Sequence, residues 1–149
     1  MNLVIIDYGS GNLKSVENAF KISAKTNKLD FTIQVTNELD LISKADHLVL
    51  PGVGSFPDCK KGLEDIEGLI KLLTDEVISK RKKFLGICVG MQLMVNFSLE
   101  KRRTKGFCWL DGYFKKIKVI GLDYLGRDYK IPHMGWNNLQ IEYNKHPVL

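Results

Sequence analysis

Cysteine is scarce in this chain and never paired: Cys59, Cys88 and Cys108 stand far apart, with no CxxC among them. An odd, dispersed set without an export signal argues for reduced thiols and a cytoplasmic setting, not a disulfide framework. The opening Met1-Asn2-Leu3-Val4-Ile5-Ile6-Asp7 lacks the basic and long apolar regions of a signal. No apolar run approaches the roughly 20 residues that span a bilayer, so no membrane is expected. His47, His133, Cys59 and Cys108 show no metal-ligand spacing, and neither a metal nor a cofactor is expected. Gly9-Ser10-Gly11 fails the dinucleotide fingerprint because Lys14, not glycine, stands three positions after Gly11.

Charge is only mildly one-sided, +5 from 22 basic and 17 acidic residues. The basic residues look scattered, with the densest runs at Lys80-Arg81-Lys82-Lys83 and Lys101-Arg102-Arg103, and no aromatic-interleaved stripe beside them. That weighs against nucleic acid and favours a solvated helix end or a docking rim for an acidic partner. With 149 residues, 44% hydrophobic and 26% charged, the chain predicts one globular domain with a real core.

The apolar pattern alternates between strand and helix. Leu3 to Ile6 is a short continuous run, as in a strand buried on both faces of a parallel sheet. Turn residues follow, then Leu13, Val16, Ala19 and Phe20 at helical spacing. Phe31 to Val35 reads as a strand, Leu39 to Ile42 as a short helix, and His47 to Leu50 as a third strand ended by Pro51-Gly52-Val53-Gly54. Leu63 to Val77 gives one long amphipathic stretch, Phe84 to Ile87 a fourth buried strand, and Met91 to Phe97 a helix. Past Lys105, the segments 107–110, 113–120 and 138–143 read as a β-meander. The expected class is α/β, an open and mostly parallel sheet flanked by helices with an added meander.

Gly86-Ile87-Cys88-Val89-Gly90-Met91-Gln92 is the sharpest feature. A nucleophile between glycines at minus two and plus two, after a buried strand and before a helix, has the pattern of a nucleophile elbow. The turn is strained, and its neighbours must approach without a Cβ. The helix start aims unpaired N–H groups at the sulfur, favouring thiolate. The plainer alternative is a buried structural cysteine. Pro51-Gly52-Val53-Gly54 ends a neighbouring strand, so in an open α/β sheet its loop can share a crevice with Cys88 and offer backbone N–H groups.

Asp7-Tyr8-Gly9-Ser10-Gly11-Asn12-Leu13, Leu50-Pro51-Gly52-Val53-Gly54-Ser55-Phe56, the Cys88 segment, Lys105 to Gly112 and Pro132-His133-Met134-Gly135-Trp136-Asn137 occur in order. Together they resemble the HisH-type glutaminase subunits of imidazole glycerol phosphate synthase, over Met1 to Leu149. The resemblance implies a class I amidotransferase (flavodoxin-like) domain over 1–149 in which Cys88 attacks the side-chain amide of L-glutamine and releases ammonia. By position it implies Val53 and Val89 as oxyanion donors, and Gly54, Gln92 and Glu100 as glutamine-binding residues. Met134, Trp136 and Asn137 match a partner interface with a (β/α)8-barrel cyclase. Val89 replaces the usual leucine, a change that a backbone donor tolerates.

The family completes its triad with a histidine and a glutamate in a His-Pro-x-x-type stretch. Here 61 residues follow Cys88, and His146-Pro147 runs into Val148-Leu149 with no glutamate. That pair resembles an upstream segment of the family, and His133 a structural or interface position. The expectation is therefore a domain incomplete at its carboxyl end, inactive as it stands, with apolar surface exposed and a tendency to associate. Two alternatives remain open: a paralogue feeding ammonia to sugar amidation in a surface polysaccharide, and a non-catalytic binding module.

Overall fold

The computed structural model describes residues 1–118, 120–122, 126–128, 131, 135–138 and 140. The chain divides into two compact units, 1–116 and 117–149. In the first, β1 (Asn2–Ile6), β2 (Thr32–Thr36), β3 (His47–Gly52) and β4 (Lys83–Cys88) form a sheet of order β2-β1-β3-β4. All its pairings are parallel, with Leu3 opposite Ile33 and His47, and Gly52 opposite Cys88. This is the α/β architecture that the alternating pattern predicts.

Two apolar clusters lie on the sheet. One unites Val4, Ile6, Leu48 and Leu50 with Ile42 of α2 (Leu39–Lys44), Phe56, Cys59 and Leu63 of α3 (Phe56–Glu64), and Leu69 and Leu73 of α4 (Leu69–Thr74). The other packs Leu3, Ile5 and Val49 against Leu13, Val16 and Phe20 of α1 (Leu13–Thr26). Asn12 starts α1 by accepting the Ser15 N–H on its side chain, and Ser55 starts α3 by accepting that of Asp58.

The structure departs from the sequence expectation at several elements; the strand expected over 113–120, for one, ends at Phe114. The long amphipathic stretch is not one helix: Gly68, at φ 80°, breaks it between α3 and α4, and a π-helical turn (Asp75–Ser79) follows. Met91 to Phe97 is not a helix. After α5 (Val89–Gln92), Val95–Ser98 becomes β5, because its backbone pairs antiparallel with β6 (Thr104–Lys105) and parallel with β7 (Leu110–Phe114). The Phe107 to Leu110 segment is mostly irregular and held by aromatic packing: Trp109 meets Phe84 edge-on at 5.1 Å and donates its indole N–H to Thr74. The three-stranded sheet is therefore no simple meander.

In the second unit Leu122 and Asp128 form an antiparallel bridge, and Trp136 is fully exposed. Met134, His133 and His146 lie outside the described residues.

Candidate active site

Strands β3 and β4 end side by side, which carries two loops to one edge of the sheet. Cys88 closes β4 at φ 54°, ψ −115°, dihedrals typical of the first central position of a type II′ turn, where glycine is the usual residue. The thiol is exposed, whereas Val89 and Gly90 behind it are buried. The flanking glycines are required by close approach. A Cβ on Gly86 would stand 2.6 Å from the Met91 Cα, and one on Gly90 would overlap the Leu50 carbonyl. Gly52 has the same need, because its Cβ would lie 2.7 Å from the Gly90 amide nitrogen and 2.9 Å from the Tyr8 hydroxyl. Strand β3 and the elbow thus press backbone to backbone.

The loop after β3 is anchored by the turn after β1. Tyr8 donates its phenol to the Pro51 carbonyl at 2.7 Å. The Ser10 hydroxyl donates to the Val53 carbonyl at 2.7 Å and accepts the Val53 N–H at 3.1 Å. The Cys59 thiol, buried on α3, approaches both Ser10 Oγ at 3.4 Å and the Val53 carbonyl at 3.5 Å. Burial, followed by the neighbouring Cys59 and then Cys88 thiols, pushes the Tyr8 phenol well above its usual range; the Ser10 hydroxyl works in the other direction. Tyr8 is therefore a neutral donor at all ordinary pH. Val53 and Gly54 are exposed, and the Val53 N–H is engaged by Ser10.

Glu100 is brought to the same region by the turn after β5. Its Oε2 accepts the Phe56 N–H at 2.7 Å at the start of α3, where the helix dipole favours a carboxylate. Lys101 pairs with Asp58 at 3.2 Å, fastening that turn to α3. Gln92 sits half-buried on α5.

His47 is remote from this edge. It opens β3, five residues before Gly52, so it stands about 17 Å from the Cys88 end at strand rise. Its ring meets Phe31 edge-on, burial lowers its pKa, and its Nδ1 has no hydrogen-bond partner among the described residues. Phe31 packs on the ring, but that contact leaves the nitrogen unsatisfied. The sequence alone marks no role for Tyr8, Ser10 or Cys59. The available signal was topological: the turn after β1 must adjoin the end of β3 once those strands pair.

A strained cysteine between tightly packed glycines, facing a glycine-rich loop across two parallel strand ends, defines a cysteine-elbow α/β architecture. The chain belongs to the class-I glutamine amidotransferase family, whose model matches residues 4–148. It is similar to the imidazole glycerol phosphate synthase subunit HisH of several bacteria. Identity is 45% over 149 residues with that of Rhodopseudomonas palustris, 43% over 148 with that of Rhizobium meliloti, and 40% over 148 with that of Brucella suis. The matches cover 99–100% of this chain, which spans 66% of the length of each relative.

Proposed function

We propose that this chain forms the nucleophile-bearing part of a glutaminase that supplies ammonia for imidazole glycerol phosphate formation in histidine biosynthesis. The observation that carries the proposal is the Cys88 elbow, at φ 54° between glycines that admit no Cβ. Strain of about 1–3 kcal/mol at an exposed thiol has no packing rationale, whereas a nucleophile needs that presentation. In this proposal the Cys88 sulfur attacks the side-chain carbonyl carbon of L-glutamine. The amide nitrogen leaves as ammonia, and water then hydrolyses the thioester to glutamate and restores the thiol.

Val89, at the first turn of α5, and Val53 are the proposed oxyanion donors; the Ser10 hydroxyl must release the Val53 N–H before that amide can serve. Gly54, Gln92 and Glu100 are proposed to hold glutamine, with Glu100 using the carboxylate oxygen not bound to Phe56. His47 is too far away to be the base. Residues 1–149 form one domain in this proposal, and Met134, Trp136 and Asn137 face a (β/α)8-barrel cyclase. The full exposure of Trp136 supports its place there. The setting is cytoplasmic, and among the described residues no helix is long and apolar enough to cross a membrane.

The test is labelling with 6-diazo-5-oxo-L-norleucine, an electrophilic glutamine analogue. Adduct formation at Cys88 should saturate with reagent concentration and be competed by glutamine but not by asparagine. Labelling that is unsaturable, or that prefers Cys59 or Cys108, defeats the proposal.

A further inference from the structure

We infer that the outward face of the β5–β6–β7 sheet, built on Phe97 and Tyr113 and flanked by Arg103, Lys105 and Lys115, docks an acidic segment of another protein. This inference stands whether or not the glutaminase proposal holds.

Strand pairing assembles what the linear sequence hides. Phe97 of β5 lies opposite Lys105 of β6 and opposite Tyr113 of β7, so the three side chains form one row across the sheet. The Phe97 and Tyr113 rings stack at 5.1 Å with only 5° between their planes. The Arg103 guanidinium covers Phe97 at 4.2 Å, and the Lys115 ammonium stands 5.9 Å from the Tyr113 ring centre. The result is a cation–aromatic–aromatic–cation column, with Tyr113 half exposed.

The charge of the molecule is concentrated here. Residues 101–116 hold six basic side chains and one acidic one, Asp111, a net +5 equal to that of the whole chain. The remaining residues balance at sixteen of each sign. Among these cations Lys101 is paired with Asp58, while Arg103, Lys105 and Lys115 have no carboxylate within salt-bridge distance among the described residues.

Three kinds of occupant can be separated by chemistry. A second copy meeting this face symmetrically sets cation against cation, and the rest of its surface offers no net counter-charge. A nucleic acid gains base stacking only from an open ring face, and here the faces are taken by each other and by the two cations. An acidic polypeptide fits. Its carboxylates match the exposed guanidinium edge and the ammonium groups, and its apolar side chains cover the half-exposed Tyr113, a pairing of Arg and aromatic contacts common at protein interfaces.

The test uses a fluorescent peptide of alternating glutamate and leucine, added to the intact chain and followed by anisotropy and by amide chemical shifts. Binding should weaken at least about tenfold from low to physiological salt, with shifts confined to residues 97–116. Arg103→Glu combined with Lys115→Glu should abolish binding. Lys25→Glu combined with Lys44→Glu, an equal charge change elsewhere, should leave more than half of the affinity. If the double reversal fails to fold by near-ultraviolet circular dichroism, Arg103→Gln with Lys115→Gln replaces it. Absence of binding at low salt, equal loss in the Lys25 and Lys44 control, shifts elsewhere, or tighter binding of oligothymidylate or phosphatidylserine vesicles overturns the inference.

Discussion

Ser10 holds both polar groups of Val53, and its hydroxyl alone engages the Val53 N–H of the loop beside Cys88. Replacing Ser10 with alanine removes about 1 kcal/mol of net hydrogen bonding. The Val53 amide should then exchange with solvent about fivefold faster, while the Pro51 anchor from Tyr8 keeps β3 in place. Hydrogen exchange by NMR measures this, and an unchanged Val53 rate would show that the loop is held by other contacts. At this scale the sequence is a good guide to the elbow's backbone and a poor one to restraint. The Gly86-Ile87-Cys88-Val89-Gly90 spacing marks the elbow unaided. The bond between Ser10 and Val53 spans 43 positions and follows only from the pairing of β1 with β3.

Glu76 shows how one element can depend on a buried charge. Its carboxylate, almost wholly buried in the π-helical turn, accepts from Lys80 at 2.7 Å and pairs with Lys82 at 2.6 Å. Lys82 also donates to the Ser43 carbonyl at 2.6 Å, tying the turn to α2. Burial pushes the Glu76 carboxyl upward, but the hydrogen bonds from Lys80 and Lys82 outweigh it and hold the group below its usual range. A folded-state pKa below the unfolded value means that this stabilisation is complete above the ordinary carboxylate range. It is lost as pH falls through the lower folded value. Glu76→Ala should cost about 3 kcal/mol in urea unfolding near neutrality and flatten the acid limb of the stability profile. An acid limb identical to that of the parent would rule this out. The helical period of Leu63 to Val77 was legible in the sequence, but the interruption was not. Gly68 marks a break only once its backbone takes φ 80°, and a π-helical turn leaves no signature in apolar spacing. Similarly, the step from α5 into β5 is decided by partners on β6 and β7, not by local propensity.

At the scale of the first unit, the sheet is covered unevenly. The apolar run Phe84-Leu85-Gly86-Ile87 reads as a strand buried on both faces, yet Leu85 remains 49% exposed. It lines a groove of about 440 Å³ between α1 and β4, together with Val16, Phe20 and Ile87. Strand β4 is the outermost strand of its sheet among the described residues. Such a surface invites apolar ligands and strand association. A hydrophobic dye should bind this groove, and Leu85→Lys should suppress dye fluorescence without lowering the melting temperature. Undiminished fluorescence would place the apolar surface elsewhere. The order of strands and helices was therefore readable from apolar periodicity, whereas the extent of their cover was not, since periodicity records which faces are apolar and not what lies on them. The Cys88 backbone carries a consequence of another kind. At φ 54° and ψ −115° every residue but glycine is penalised, so the rest of the fold holds this residue against its own preference. Cys88→Gly should accordingly raise stability by about 1 kcal/mol or more, while Cys88→Ala should not. Among descendants released from selection on chemistry, drift should settle on glycine at this position.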